Sequence, residues 1–149
     1  MKKIILSAAI LLASFSMAFA NRPDNITERA AASFHKDFYK ASEISSDIIN
    51  NHVRVTFCQN NETKYAYYDF QGNLIGVVQH ILTSSLPKDL KEDIKKHYSN
   101  YWVTELFQVT TDEGEYYYIQ LTNADENIVL SNEDTYGWHR YMTKKVASL

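Results

Sequence analysis

The chain has 149 residues, a formal net charge of −3, and 22% charged against 45% hydrophobic residues. This mild acidic balance excludes the dense cationic face that nucleic-acid binding requires. Four glycines and two prolines exclude a disordered, linker-like composition, and eleven tyrosines with seven phenylalanines favour sheet, where aromatic side chains pack on a pleated surface.

The first twenty residues read as an export signal. Met1-Lys2-Lys3 is a short basic start, Ile4 to Ala13 is an almost unbroken apolar run, and Ala18-Phe19-Ala20 is a small-x-small cleavage site. The apolar run is shorter than a membrane span needs and ends in small residues. No cysteine lies beside the cleavage site, so no lipid attachment is expected. Cleavage after Ala20 leaves residues 21–149 as one α+β domain, expected in the periplasm or secreted, with no membrane insertion of its own. Loss of Lys2 and Lys3 takes the net charge from −3 to −5.

Asn25 to Ala41 is the first predicted helix, because Ile26, Ala30, Phe34 and Phe38 recur every four residues. Asp24 or Asn25 is positioned to cap it, with Glu28 three residues after Asn25. Ser42 to Asn51 is less regular and leads into a sheet. Val53 to Cys58 alternates, with Val53, Val55 and Phe57 on one face and Arg54, Thr56 and Cys58 on the other. Gln59 to Glu62 is a polar turn. Lys64 to Phe70 returns, with Ala66, Tyr68 and Phe70 sharing a face opposite Tyr65 and Tyr67. Gln71-Gly72-Asn73 turns the chain into a third strand, Leu74 to Ile81.

Leu86 to Tyr101 is the second predicted helix. Its stripe is Leu86, Leu90, Ile94, Tyr98 and Tyr101, with Pro87 in the first turn and Ser84 or Ser85 as cap. Trp102 to Thr111 is a strand with Val103, Phe107 and Val109 on one face. Glu115 to Thr122 runs back, setting Tyr117, Ile119 and Leu121 against Tyr116, Tyr118 and Gln120. Ile128 to Leu130 is a short buried run, and Trp138 to Val146 is the closing strand. The order is helix, three strands, helix, about four strands, with both helices on one face of an antiparallel sheet. Each half repeats one helix and one meander.

Several of these stretches carry a resemblance. Tyr67-Tyr68-Asp69-Phe70-Gln71-Gly72-Asn73-Leu74-Ile75-Gly76 is a tyrosine-rich strand, a turn and a return strand. Ser85-Leu86-Pro87 then opens a helix through Ile94 to Tyr98. Glu105 with its hydrophobic strand and Tyr116-Tyr117-Tyr118 follow. Together they resemble the PepSY-like proteins exported by Bacteroidetes, whose fold is similar to that of the β-lactamase-inhibitor protein. The resemblance spans about Phe34 to Lys145 and rests on strand and turn patterns. Asp134-Thr135-Tyr136-Gly137 matches the expected final turn only loosely. The resemblance implies a small periplasmic or secreted domain that binds or inhibits another extracytoplasmic protein.

The residues themselves offer little chemistry. His35, His52, His80, His97 and His139 show no metal-ligand spacing. No Gly-x-Ser-x-Gly elbow and no phosphate-cradling loop occurs. Glu62, Asp69, Asp112, Glu113 and Glu115 lie in or beside turns, where carboxylates serve turn geometry. Cys58 is the only cysteine, so no intrachain disulfide forms. It reads either as a small buried apolar residue or as a reactive thiol.

A surface remains. Tyr65, Tyr67, Tyr116 and Tyr118 fall opposite the better apolar sets and so on the face that the helices leave open. Tyrosine combines contact area with a polar tip at little entropic cost, although such rings also pack cross-strand on a solvated sheet. These four are the candidate binding residues for a protein or peptide partner in the cell envelope. The expected function is an exported binding domain, not an enzyme, with no cofactor and no metal. The alternatives are a structural or stress-related envelope protein without ligand and a small hydrolase.

Overall fold

The computed structural model of the chain describes residues 24–133 and 136–145. The expected export signal lies outside them, as do Asp134, Thr135 and Val146. The chain divides into two compact units. One reaches to Gln79 and includes Thr111–Glu113; the other comprises His80–Thr110 and the residues from Gly114 on.

The first unit begins with helix α1 (Asp24–Asp37), followed by strands β1 (Ser42–Ile49), β2 (His52–Gln59), β3 (Glu62–Tyr68) and β4 (Leu74–His80). The strands pair in chain order, each antiparallel to the next. Two connections are two-residue turns. Asn50 and Asn51 have φ of 47° and 67°, and Asn60 and Asn61 have φ of 57° and 62°. Positive φ at both central residues matches the right-handed twist of the flanking strands, and asparagine tolerates it better than most residues. The β3–β4 turn is held by Asp69. Its Oδ1 accepts the N–H of Gln71 at 2.9 Å and of Asn73 at 2.8 Å, and its Oδ2 accepts Asn73 Nδ2 at 2.8 Å.

Ala30 and Phe34 of α1 pack on Val53, Val55 and Phe57 of β2 and on Ala66 and Tyr68 of β3. The ring of Phe34 meets Phe57 edge-on at 5.0 Å and stacks on Phe38 at 5.2 Å with the planes inclined by 29°. The alternation expected along β2 is the alternation observed. Below the helix, the Tyr68 hydroxyl donates to the Asp37 carboxylate at 3.3 Å. Burial, reinforced by that carboxylate, raises the Tyr68 phenol well above its ordinary range.

The second unit carries a short 3₁₀ turn (Thr83–Ser85), helix α2 (Lys88–His97), and strands β5 (Trp102–Thr110), β6 (Glu115–Thr122), β7 (Glu126–Ser131) and β8 (His139–Lys145). These strands also pair in chain order and antiparallel. Leu86 and Leu90 pack on Leu106, Tyr117, Ile119, Leu121, Ile128 and Leu130, flanked by Ile94, Tyr98, Tyr101 and Trp138. The Trp138 indole donates to the Leu90 carbonyl at 2.9 Å, and its backbone N–H to Asp93 Oδ2 at 3.3 Å. The segment before β8 is thereby fastened to α2.

Four expectations are corrected. Ser42 to Ile49 is a strand, so the first unit has four strands instead of three. Its polar sequence hides alternation because it is an edge strand, and the register shifts between Ser42 and Ser45, where Glu43 has φ 52°. The first helix stops at Asp37, four residues early, where backbone bonds from Phe38 to Phe34 and from Ala41 to Phe38 turn the chain. The second helix is shorter at both ends. Pro87 stands at its N-cap with no side-chain cap bond, so neither Ser84 nor Ser85 caps it. Finally, Val103 does not share a face with Phe107 and Val109. A register shift between Val103 and Glu105 sets Val103 opposite Leu121 while Phe107 lies opposite Tyr118. A bulge of this kind inserts a residue and reverses the alternation beyond it.

Candidate binding face

In each unit the helix covers one side of the strands, so strand parity defines a helix-free face. In the first unit this face carries Asp47 of β1, Arg54, Thr56 and Cys58 of β2, and Tyr65 and Tyr67 of β3, set by the pairs Asp47–Arg54, Arg54–Tyr67 and Thr56–Tyr65. Arg54 Nε and Nη2 donate to the two Asp47 oxygens at 3.2 and 2.7 Å. The guanidinium also sits 5.6 Å from the centre of the Tyr65 ring. Burial works against the Arg54 charge, but bonding and attraction to Asp47, then to Tyr67, outweigh it and raise its pKa. The arginine is thus committed to its neighbours as a fork on a carboxylate.

Tyr65 is half-buried and Tyr67 is 1% exposed. Tyr67 lies opposite Gly76 of β4, which presents no side chain, and it bonds Arg54. Only Tyr65 of this pair offers surface. Cys58 is half-buried and free, intermediate between the two readings of the sequence.

In the second unit the helix-free face carries Trp102, Glu105, Phe107 and Val109 of β5, and Tyr116, Tyr118, Gln120 and Thr122 of β6. Val129 of β7 pairs with Gln120, and Met142 of β8 with Val129. Tyr118 is 3% exposed. Its hydroxyl donates to Glu133, and its ring meets Tyr141 edge-on at 5.9 Å. Burial first, then the Glu133 carboxylate, push its phenol far above the ordinary range. Tyr116 is half-buried. The His80 ring lies 4.2 Å from that of Phe107, and its Nδ1 is 3.5 Å from Glu105 Oε2.

Thus Tyr65 and Tyr67 neighbour one another in the first unit, and Tyr116 and Tyr118 in the second. Within each pair one ring is part of the closed base and one retains surface. The exposed apolar groups of the second unit's face are others: Trp102, 69% exposed, with Tyr141 and Met142 at 36% and 40%. Sequence reasoning passed over them. A signal was present, because Trp102 pairs with Thr122, whose parity with Tyr118 along β6 is plain in the sequence. The bulge in β5 concealed it.

Among the described residues, no group of three or more His, Cys, Asp or Glu side chains is placed to hold a metal. His97 bonds Asp93 at 2.6 Å on α2, and His52 Nδ1 lies 2.8 Å from the Asn50 carbonyl oxygen. Neither contact includes a nucleophile. Among the described residues, no helix is long and apolar enough to cross a membrane. What the face offers is contact: a packed aromatic base with an exposed indole, phenol and thioether, the side-chain types enriched at protein interfaces.

No family model matches the chain, and no curated protein matches it in sequence. Solved structures do match in fold. A BLIP-like protein of Bacteroides fragilis aligns with a TM-score of 0.66 at 12% identity, covering 81% of this chain and 86% of that one. A DUF2874 family protein of Bacteroides uniformis aligns at 0.69 and 12% identity over 78% and 87%. A Bacteroides eggerthii protein described as a candidate periplasmic protein aligns at 0.68 and 10% identity over 85% and 90%. The resemblance to the fold of the β-lactamase-inhibitor protein and its Bacteroides relatives is therefore borne out at the level of the fold.

Proposed function

We propose that the chain is an extracytoplasmic binding domain that recognises a protein or peptide of the cell envelope through the helix-free sheet face of its second unit. The observation that carries this reading is the exposure of Trp102, Tyr141 and Met142 beside a base closed by Phe107 and Tyr118. Anchors of this kind supply large contact area from a pre-organised surface, which is how hot spots are built. Tyr116, a half-buried ring on the same face, serves as a secondary contact, and Tyr118 holds the base in place.

The location outside the cytoplasm is supported by the signal-like first twenty residues and by the Bacteroides eggerthii neighbour. Inhibition of an enzyme is one form such binding takes, and the name of the Bacteroides fragilis neighbour motivates testing it first.

The experiment is site-specific photo-crosslinking in the producing cell. A crosslinker replaces Trp102 in one strain and Lys95 on the exposed face of α2 in another. A discrete adduct from position 102 alone supports the reading. Equal adducts from both positions, or none from either, reject it in favour of an envelope protein without a ligand. Sequencing the N-terminus of the recovered protein tests cleavage after Ala20.

A further inference from the structure

The pairing of β5 through β8 lays out the helix-free face of the second unit in rows. Trp102, Thr122, Asn127 and Lys144 form one row, and Glu105, Gln120, Val129 and Met142 form the next. Trp102 and Lys144 therefore stand at opposite ends of a single row, about 14 Å apart across the strand spacings. Between them lie the hydroxyl of Thr122 and the amide of Asn127, both uncharged. Met142, the exposed thioether, is two residues from Lys144 on the same side of β8.

The carboxylates of this face are already engaged. Glu105 lies 3.5 Å from His80, and Glu133 accepts the Tyr118 hydroxyl. Arg140 reaches Glu126 at 3.8 Å on the other side of β8. Lys144 is exposed and makes no ion pair among the described residues. The β8 sequence, His-Arg-Tyr-Met-Thr-Lys-Lys, holds no acidic residue, although the chain as a whole has a net charge of −3. A cation at the rim of an aromatic and thioether surface steers and orients an oppositely charged partner. Water excluded by the apolar anchors leaves such a pair less screened than one in open solvent.

We propose that the partner is a protein whose contact surface sets an aspartate or glutamate opposite Lys144 and an apolar patch over Trp102, Tyr141 and Met142. Lys144 then fixes how the partner is turned on the face, and the indole supplies most of the contact area. The inference rests on the binding reading above and adds the charge of the partner to it.

The test is the yield of the crosslinked adduct from position 102 in the producing cell, compared in four backgrounds: Lys144 unchanged, Lys144→Arg, Lys144→Glu and Lys95→Glu. Lys144→Glu should lower the yield about fivefold, and Lys144→Arg should retain it. Lys95→Glu makes the same change in net charge on the exposed side of α2 and should also retain it. Circular dichroism of the purified variants confirms that each is folded, and Lys144→Gln, which adds no charge, should give an intermediate yield. An adduct that forms equally well with Lys144→Glu overturns this inference and leaves the binding reading standing. Equal losses from Lys144→Glu and Lys95→Glu overturn it too, because net charge alone would then account for the effect. No adduct with Lys144 unchanged overturns the binding reading and this inference with it.

Discussion

Gly72, at the tip of the β3–β4 turn, lies directly against the backbone of Arg29 in α1. A Cβ built on it would stand 3.1 Å from the Arg29 carbonyl oxygen, and its φ is +88°. Both the contact and the backbone conformation require glycine. Gly72→Ala is therefore expected to destabilise the protein by about 1–3 kcal/mol. Urea unfolding measures it; an unchanged midpoint would show that the turn relaxes without cost.

Asp69 closes the same turn from the other side. Partial burial raises its pKa, but bonds from the Asn73 side chain and from the backbone of Asn73, Gln71 and Gly72 outweigh that and lower it. A carboxylate with a depressed folded pKa contributes stability that is present above its unfolded pKa, about 3.9, and lost as pH falls through the folded value. Asp69→Ala should cost about 1–2 kcal/mol at pH 7 and proportionally less at pH 2–3. Unfolding curves at the two pH values decide it.

At the alkaline end the sign reverses. Burial, with Asp37 beside Tyr68 and Glu133 beside Tyr118, raises both phenols. The stability they contribute is complete below the unfolded tyrosine pKa, about 10, and drains as pH rises through the folded values. Absorbance titration should show most tyrosines ionising near the ordinary value and a late group ionising only as the fold opens. A single step accounting for all eleven tyrosines would contradict the burial of Tyr68 and Tyr118.

Phe34 anchors α1 to its sheet through stacked and edge contacts with Phe38 and Phe57. Phe34→Ala is expected to cost about 3–5 kcal/mol. Trp102→Ala, by contrast, removes an exposed ring and should leave stability within about 0.5 kcal/mol while abolishing partner capture. If Trp102→Ala unfolds the chain, the indole is a structural element and the binding reading loses its anchor.

Much of this architecture was legible before any coordinates. The buried stripe of α1, the alternation of β2 and the inward set Tyr117, Ile119 and Leu121 follow from periodicity, because one-sided burial forces it. β1 was not legible, since an edge strand exposed on both faces has no reason to alternate. The helix ends were misplaced because Phe38 and Tyr98 continue the apolar spacing after the backbone has already turned. The binding face was half legible. Tyr65 and Tyr67 could be assigned to the helix-free side, but their parity could not tell that Tyr67, bonded to Arg54, would be buried while Tyr65 kept some surface. Nor could it tell that an extra residue after Val103 would swing the rest of β5.

The two Asn-Asn turns have a consequence for how the chain reaches this structure. They join β1 to β2 and β2 to β3 through two residues each. Nearly every ladder partner in that unit is thus a near neighbour along the polypeptide, and little entropy is lost in bringing it home. Such low contact order belongs to proteins that fold quickly. The first unit should therefore zip hairpin by hairpin, long before slower events such as proline isomerisation could intervene.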